Sequence, residues 1–564
     1  MKRIIILLFL SLLNQVNFAQ FPNFSIGGLS RAISNTSYLD SNDSINEDIN
    51  QKFNIIFDMA IEGKLNKHVN IYSELRLGSS LDVFDTSASY IDLRRILVFG
   101  DFNKNLSFEV GDVDLIMTPF TLWNNNEEGN INESQLFSNY REIQRYENFN
   151  NGNFWRRQGF QIFGKSIFGI NDTLKYKFFG TRERSSNEIS IPDVFLYGEH
   201  ISFEKSLFKI GLNHIDLFTN NRGILIDSNF HNHVISSRIG LKINQLEFSG
   251  EAGASYRTNY STGNNIFKRG EFLFLSANYH VNSSLSFDLN FRSVSDDFSS
   301  PGAQSKRINY STSPNLFSNQ MNSSDSRLIN SSDVINDISL FRSNSIYNRT
   351  INYQLDSYNP QFGLAEPYGL STPNRRGFSS KLNFKDSLNR LKLFTEFSFL
   401  NDLSPEGINS KRNYNKYTIG GLIKLGEFFN FKNEMNLYGG FSYNTVYRIH
   451  PSEINVRNVD FNNSLLDLAL DFEILNNLYF LAGFKKLNAN GIDYLPIRDD
   501  NLTISNYSLY SADLSEKISA LGLKYNFSSK SSLLFNYQLF KREDLENGNS
   551  FSTNQFFVLI QIAF

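Results

Sequence analysis

Few residues of this 564-residue chain have the types and spacing of a catalytic or metal-binding site. The chain has no cysteine and no G-x-S-x-G sequence, and its seven histidines are scattered. His231 and His233 form the one close pair, and the sequence around them, which has no nearby acidic cluster, is typical of an ordinary polar loop. The sequence also lacks a phosphate-binding glycine motif and a calcium loop. We therefore predict no enzymatic activity, no cofactor and no metal site.

Charged side chains instead recur at every second position of apolar stretches, which places them on one face of a strand. Between Gln51 and Gly63, for example, large apolar residues alternate with Asn54, Asp58 and Glu62. This period of two is typical of a strand and not of a helix. The charged candidates for the inward face of such strands carry both signs: Asp58, Glu62, Glu74, Arg76, Arg238, Lys242, Glu247, Glu251, Asp288, Arg292, Lys392, Glu396, Lys424, Glu434, Asp467, Asp471 and Lys485.

A lipid-facing position is unfavourable for these side chains, by about 2–4 kcal/mol for a basic residue at the bilayer midplane. Inside a closed barrel they can form ion pairs or stay hydrated. Two interpretations remain open. The charged side chains line a water-filled pore in acidic and basic rows, or they only form ion pairs and hydrogen bonds with one another inside a closed lumen. Because neither sign dominates, we expect no strong ion selectivity.

The connection GDVDLIMTPFTLWNNNEEGN is unusually apolar for a loop in water. One interpretation folds it into the lumen as a constriction, to which Asp112, Asp114, Phe120 and Trp123 would contribute. The other interpretation packs it on the barrel rim or on a partner protein. The sequence slightly favours the second interpretation.

Basic residues cluster where long loops re-enter strands, in WRRQGF and NRRGF. Arg95 is expected at a similar level, on the face shared by Leu93 and Leu97, from which its long side chain would reach up to the polar boundary. The candidates for the outer rim are Arg95, Arg156, Arg157, Arg375 and Arg376. Lipopolysaccharide phosphates are plausible partners for these guanidinium groups. Two alternative roles for these arginines are the attraction of anionic solutes to the mouth of the barrel and the solubility of the protein surface.

The elements that must position these residues are strands joined alternately by tight turns and long loops. Ten short polar turns, the first at Asn66–His68 and the last at Ser528–Ser532, predict ten hairpins. A strand near Phe24–Ile33 and the terminal strand raise the expected total to about 22, within a range of about 18–24. The longest connections cover about residues 114–154 and 298–376. Short periplasmic turns and long extracellular loops are typical of an antiparallel transmembrane β-barrel.

A soluble β-sandwich or solenoid is the alternative all-β fold. So many strands in one soluble protein would normally show domain breaks or a repeat of fixed period. Neither is present in this sequence, and a sandwich gives no reason for one set of connections to be tight and the other long. The sequence therefore favours the barrel.

Composition agrees with an exported barrel and excludes several other classes. Mean hydropathy is −0.32, charged residues make up 20% and the net charge is −3, which indicates no nucleic-acid partner. Aromatic residues make up 15% and there are 11 prolines, which suits many strands. Because the chain has no cysteine, disulfides cannot stabilise it outside the cell.

The beginning MKRIIILLFLSLLNQVNFAQ has a basic start, a short apolar core and a small residue before the expected cleavage site. We predict a signal peptide over residues 1–19 and a barrel over residues 20–564; a signal anchor is the alternative. The residues between the cleavage site and the first hairpin near Gln51 are far too few for a plug domain of the kind found in TonB-dependent transporters. No plug domain is therefore expected.

The last residues, NQFFVLIQIAF, alternate and end on Phe564. This stretch resembles the C-terminal signal of bacterial outer-membrane proteins, which implies recognition by the barrel-assembly machinery. The asparagine- and phenylalanine-rich composition and the FAQ cleavage site resemble outer-membrane proteins of Bacteroidota.

Together these features predict a porin-like channel in the outer membrane of a Gram-negative bacterium, through which small polar solutes diffuse passively. The alternative is a non-conducting barrel that serves as a subunit of an envelope machine for secretion, motility or assembly. Outer-membrane lipids, lipopolysaccharide and, for the alternative, envelope proteins are the expected partners.

Overall fold

The computed structural model describes residues 23–41, 48–82, 88–124, 133–147, 155–168, 172–185, 192–220, 229–261, 264–304, 351, 355, 358–362, 364–449, 458–499, 504–546 and 548–564. The predicted signal peptide, residues 1–19, lies outside these ranges. The described residues form 22 strands: β1 (Phe24–Ser41), β2 (Asp48–Lys64), β3 (Val69–Asp82), β4 (Ala88–Asn103), β5 (Leu106–Leu115), β6 (Trp155–Phe168), β7 (Asp172–Arg184), β8 (Asp193–Lys205), β9 (Phe208–Asn220), β10 (Asn229–Ile243), β11 (Leu246–Ser261), β12 (Asn264–His280), β13 (Leu285–Val294), β14 (Arg375–Lys385), β15 (Leu391–Asn401), β16 (Asn413–Lys424), β17 (Met435–Arg448), β18 (Val459–Leu475), β19 (Leu478–Arg498), β20 (Ile504–Ser528), β21 (Ser531–Asp544) and β22 (Asn549–Ala563).

Each strand pairs antiparallel with the next in sequence, and β1 pairs with β22, from Leu29 opposite Ala563 to Ser41 opposite Phe551. The backbone of Phe564 continues this pairing: its N–H donates to the Gly28 carbonyl at 3.2 Å, and its own carbonyl accepts from the Gly28 N–H at 3.0 Å. The sheet therefore closes on itself without a free edge. The predicted antiparallel barrel of about 22 strands is confirmed.

Tight turns join strand pairs at one end of the barrel, here called the turn end, and longer connections lie at the opposite loop end. Asn244 and Asn477 adopt φ values of 52° and 66° in two of these turns. Asparagine tolerates this left-handed region better than most residues, which explains its abundance at the turn end. A turn is also predicted at residues 171–173; β7 already begins at Asp172, and residues 169–171 lie outside the described residues.

The two faces of the sheet differ as the sequence alternation predicts. On β22, Phe556, Ile560 and Ile562 are exposed on the outer face, whereas Gln555 and Phe557 are buried on the inner face. The same outward apolar pattern recurs around the barrel. A closed barrel with an apolar outer face is a structure that hydrocarbon can solvate, because every strand has partners on both sides.

The described residues also contain helix α1 (Gln135–Glu147), a 3₁₀ turn (Pro360–Phe362) and the four-residue helix α2 (Leu425–Phe428). Among them, no helix is both long and apolar enough to cross a membrane. Helix α1 belongs to the connection between β5 and β6, and its position relative to the barrel wall defines the candidate site.

Candidate functional site

The described parts of the connection between β5 and β6, residues 116–124 and 133–147, lie inside the barrel and are called the first inward segment. Helix α1 begins after Ser134, whose hydroxyl donates to the inward-facing carboxylate of Asp471 on β18. The backbone N–H of Gln135 donates to the other oxygen of Asp471 at 3.2 Å. A carboxylate at a helix N-terminus satisfies free N–H groups and the positive end of the helix dipole, so this contact fixes the start of α1.

A second contact fixes the same end of the helix through Glu133. Its carboxylate accepts from Arg141 Nε at 2.7 Å and also pairs with Lys485 of β19. Lys485 in turn contacts Asp467 of β18 at 3.0 Å. Burial opposes ionisation of Glu133, but the charges of Arg141 and Lys485 and their hydrogen bonds outweigh it and lower its pKa to about 2. The carboxylate therefore stays ionised at any physiological pH.

The middle of α1 packs directly on the inner wall of β19 to β22. Tyr140 is fully buried, accepts a hydrogen bond from Asn536, and meets the ring of Phe557 edge-on at 5.2 Å. Gly483 on β19 allows the close approach, because a Cβ atom there would lie 2.5 Å from the Phe137 ring. The helix and the wall thus share one apolar core.

The end of α1 is held by a cluster of charged residues from the first four strands. Glu147 accepts from Arg31 at 3.1 Å and also from Arg76. Arg76 donates twice to Asp58, with both distances 2.7 Å. Arg94 contacts Asp58 at 2.6 Å and also pairs with Glu74, so the three guanidinium groups match three carboxylates. We call this set, Arg31, Asp58, Glu74, Arg76, Arg94 and Glu147, the arginine–carboxylate cluster.

Burial sets the electrostatics of this cluster. Glu147 is buried with side-chain exposure of 2%, which by itself would raise the pKa of its carboxyl. The charges of Arg76 and Arg94 outweigh that effect and lower the pKa. Because ion pairs in a low-dielectric site are stable only when fully matched, removal of one member would leave an uncompensated charge.

The start of the first inward segment packs on a different part of the wall. Phe120 stacks on Phe272 of β12 with ring centroids 4.3 Å apart, and the Thr118 hydroxyl donates to Glu251 of β11 at 2.7 Å. Both partners face the interior. The rim or partner position favoured by the sequence is therefore wrong for residues 116–124. The Phe120 ring and the Thr118 hydroxyl find their partners on the inner wall.

The four constriction candidates have distinct positions. Asp112 is buried and accepts from the Ile96 backbone N–H at 2.7 Å, whereas Asp114 pairs with Arg95 and Arg156 at 3.0 and 3.5 Å. The Phe120 ring is held against β12. Trp123 donates its backbone N–H to the Gly302 carbonyl at 2.9 Å.

Gly302 belongs to the connection between β13 and β14. The described residues of this connection between 295 and 374 also lie inside the barrel and are called the second inward segment. Ser300 donates to the Thr121 carbonyl at 3.1 Å, so the two inward segments are joined. At the opposite wall, Tyr510 donates to Asn359 at 2.7 Å. Arg292 of β13 pairs with Glu366, whose buried carboxyl keeps a lowered pKa because the charge of Arg292 outweighs the effect of burial.

The pore-lining candidates divide into two groups. Eight are buried: Asp58, Glu74, Arg76, Glu251, Arg292, Asp467, Asp471 and Lys485. All of these bond to an inward segment or to another member of the same networks. The others are partly or fully exposed: Glu62, Arg238, Lys242, Glu247, Asp288, Lys392, Glu396, Lys424 and Glu434.

The buried pore-lining candidates on β18–β19 and β2–β3 lie beside α1. We call the wall from β18 through β22 and on to β4 the anchored arc. Most exposed members lie towards the turn end of β5–β16, which we call the exposed arc.

Basic residues outnumber acidic ones among the inward charged side chains of the exposed arc. The alternation of burial and strand pairing identifies the basic ones as Lys165, Lys175, Lys177, Lys209, Arg238, Lys242, Lys381, Lys385, Lys392, Lys416 and Lys424. The acidic ones are Glu109, Glu204, Glu247, Asp288 and Glu396. This part of the lumen therefore carries an excess of positive charge, which the balanced candidate list from the sequence did not reveal.

Most of the arginines expected at the outer rim are directed inwards. Arg157 pairs with Glu183 at 2.9 Å, and Arg375 pairs with Asp402 at 3.2 Å and stacks on Tyr414. Both are buried, so their guanidinium groups are unavailable to a lipid phosphate in this arrangement. Arg156 is partly buried beside Asp114. Arg376 is exposed on the outer face.

Arg95 also departs from its expected face. The pairing of β3 with β4 shifts at this point: Glu74 opposes Arg95, but the next residue, Leu75, opposes Leu93. This bulge inserts one extra residue, so Arg95 leaves the outward face of Leu93 and lies over the ring of Tyr72 at 5.4 Å.

Sequence reasoning missed Arg31, Arg94, Glu133 and Glu147, which hold α1 in place. Arg31 follows the alternation of β1 and could have been found by that signal. Glu133 and Glu147 lie at the two ends of a helix inside a long connection, where strand alternation gives no information.

No protein-family model and no curated protein matches the chain. Among solved structures, the translocation pore of the P pilus usher PapC is 9% identical with a TM-score of 0.38, covering 95% of this chain and 100% of that chain. OccK11 (OpdR) of Pseudomonas aeruginosa is 7% identical with a TM-score of 0.33, covering 96% of each chain. OccK2 (OpdF) of Pseudomonas aeruginosa is 10% identical with a TM-score of 0.32, covering 96% of this chain and 98% of that chain. Likenesses at this level assign neither a family nor a function.

Proposed function

We propose that the chain is a porin-like channel of the bacterial outer membrane, through which small polar solutes diffuse passively in a lumen narrowed by the two inward segments. The observation that carries this proposal is the exposed arc. Its charged side chains face the interior of a closed barrel and remain exposed to solvent. Charged groups persist in such an interior when water reaches them, which a channel provides and a sealed core does not.

The excess of basic residues in the exposed arc adds a specific expectation. A positively charged wall raises the local concentration of anions. We propose a modest preference for small anionic or neutral polar solutes over cations.

Planar-bilayer recording tests the channel. Purified protein should give discrete conductance steps, and a salt gradient should give a reversal potential of the sign expected for anion preference. A correctly folded barrel that stays silent would overturn the proposal.

The second candidate is a non-conducting barrel that serves as a subunit of an envelope machine for secretion, motility or assembly. The anchored arc favours it, because α1 is fixed at both ends by buried ion pairs and fills space beside the wall. A variant in which a short glycine–serine linker replaces residues 116–154 separates the two candidates. Conductance in the variant together with silence in the natural chain would support the non-conducting barrel, and stoichiometric co-purification of an envelope protein would strengthen it.

The orientation of the barrel in the membrane determines which residues can contact lipopolysaccharide and the barrel-assembly machinery. We infer that the tight turns face the periplasm and the long connections face outwards, as in other transmembrane barrels. Arg376 is then the rim arginine available to a lipopolysaccharide phosphate, and β22 is the strand that the barrel-assembly machinery would recognise. Replacement of Phe564 by Ser should reduce assembly into the membrane fraction, whereas R376E should leave assembly unchanged and weaken lipopolysaccharide retention.

A further inference from the structure

Three histidines and one aspartate meet on the outer face of β9 and β10, away from the lumen. His214 and Asp216 lie on β9, and His231 and His233 lie on β10. Their neighbours in the same alternation, Leu212 and Ile235, are 57% and 48% exposed on the outer face. Because side chains two residues apart share a face, the whole group points outwards.

The hairpin register brings these residues together. Asp216 lies directly opposite His233, and His214 is a diagonal neighbour of His233. One ligand atom from each of His214, Asp216 and His233 lies within 4.8 Å of the other two. His231 Nε2 is 2.6 Å from Asp216 Oδ1, and the Tyr197 hydroxyl donates to Asp216 Oδ2 at 2.6 Å.

The group occupies the boundary between apolar and polar surface. Leu212, Ile235 and Ile239 lie on the side towards the turn end, and aromatic rings surround the group. The His233 ring meets Tyr256 edge-on at 5.1 Å. Such an aromatic girdle marks the membrane interface of transmembrane barrels. Asp216 itself is 4% exposed, so its carboxylate is largely shielded from water.

A shielded carboxylate on an outward face requires a cationic partner, because a lone charge near hydrocarbon is strongly unfavourable. Imidazole nitrogen together with carboxylate oxygen suits Zn²⁺, Cu²⁺ and Ni²⁺. Ca²⁺ and Mg²⁺ prefer sites built from oxygen alone. The donor set therefore selects a transition metal over the divalent ions that are abundant at bacterial surfaces.

We propose that His214, Asp216 and His233 bind a divalent transition metal of the zinc class at the outer surface of the barrel. Small side-chain rotations bring their donor atoms to bonds of about 2.0–2.2 Å. Tyr197 and His231 orient the Asp216 carboxylate by hydrogen bonds, as partners of metal ligands commonly do. Water or an anionic group of the membrane surface would supply a fourth ligand.

The structure also corrects the sequence reading of the histidine pair. His231 and His233 lie within strand β10, and the acidic residue that the pair lacks nearby in sequence is Asp216, brought opposite His233 by the β9–β10 hairpin. An alternative explanation of the cluster is an ion pair between Asp216 and a protonated His231, with no metal. The two explanations differ in whether the folded chain binds one equivalent of metal.

Metal titration of the full chain, purified in detergent without a polyhistidine tag and freed of metal by a chelator, tests the proposal. We expect one equivalent of Zn²⁺ to bind in calorimetry and Co²⁺ to give the visible absorption of a low-coordinate histidine site. An excess of Mg²⁺ should not compete. The variants H233A and D216N should weaken binding by at least ~10-fold. The matched control is H280A, an exposed histidine at the turn end, which should bind like the natural chain.

A second measurement needs no substitution. Modification of histidines by diethyl pyrocarbonate, mapped by mass spectrometry on the natural chain, should be slowed by Zn²⁺ at His214 and His233 and unchanged at His280. No saturable binding up to millimolar Zn²⁺, binding that survives in correctly folded H233A, or equal protection of His280 would each overturn the proposal.

Discussion

The anchored arc and the exposed arc are built from the same alternating strands but have different interiors. In the anchored arc, inward charges are buried and matched, as in the arginine–carboxylate cluster that holds Glu147. In the exposed arc, inward lysines remain exposed, and pairs such as Lys175 with Glu204 are open to solvent. The difference follows from helix α1, which covers the first wall and not the second. Alternation thus decides which way a charge points, and the covering segment decides whether that charge must be paired.

Of the variants considered, R76A should cause the largest change in stability, because it acts on the buried charges of the anchored arc. It removes a guanidinium that bonds both Asp58 and Glu147, and an unmatched buried charge typically costs about 3–5 kcal/mol. We expect that loss in the free energy of unfolding, together with higher or noisier conductance as the end of α1 detaches. The matched control in the exposed arc is K175A, whose exposed pair should contribute no more than about 1 kcal/mol. Equal effects of the two variants would contradict the distinction between the arcs.

Acid should weaken the other end of α1 through Glu133. The folded pKa of about 2 lies below the ordinary value of 4.5, so the stabilisation is complete above pH 4.5 and disappears as the pH falls towards 2. A shift of this size corresponds to a stabilisation on the order of 3 kcal/mol. The measurement is the difference in unfolding free energy between the natural chain and E133Q, which should shrink between pH 5 and pH 3. A difference that stays constant would show that the Glu133 charge does not stabilise the docked helix.

G483A tests the close contact of α1 with the wall. The added Cβ atom would lie 2.5 Å from the Phe137 ring, and overpacking of this kind typically costs about 1–3 kcal/mol. The control is G439A on β17, where the nearest atom, in Leu468, is 3.7 Å away. Unfolding in denaturant should separate the two variants. Equal stability would indicate that α1 moves freely off this wall.

K392E should have the smallest effect on stability and a clear effect on selectivity. Lys392 is partly exposed in the lumen, so we expect a change in unfolding free energy within about 0.5 kcal/mol. The reversal potential in a salt gradient should move towards cation preference, because the local field changes sign. The control is R376E on the outer face, which should not move the reversal potential. A shift of the same size in both variants would contradict the view that Lys392 affects ion selectivity from inside the lumen.

Much of this architecture follows from the sequence. The strand count follows from the alternating stretches and the short polar turns between them. The inward direction of Asp58 and Arg76 rests on an alternation that a one-residue change in register would reverse. The bulge at Arg95 escaped prediction because an inserted residue changes the alternation without leaving a clear mark in composition. Helix α1 escaped prediction because its stability depends on the barrel wall, and isolated helices of this length are marginal in water.

The sequence by itself determined the class of structure. An alternating pattern repeated in strand after strand specifies an apolar exterior and a polar interior, because successive side chains of a strand point to opposite faces of the sheet. The tertiary structure alone decided what fills the interior and which distant residues meet. Glu147 contacts Arg31 and Arg76, which are 116 and 71 residues away in the chain, and Asp216 meets His233 across the β9–β10 hairpin. Such contacts depend on barrel closure and hairpin register, which no local stretch of sequence encodes.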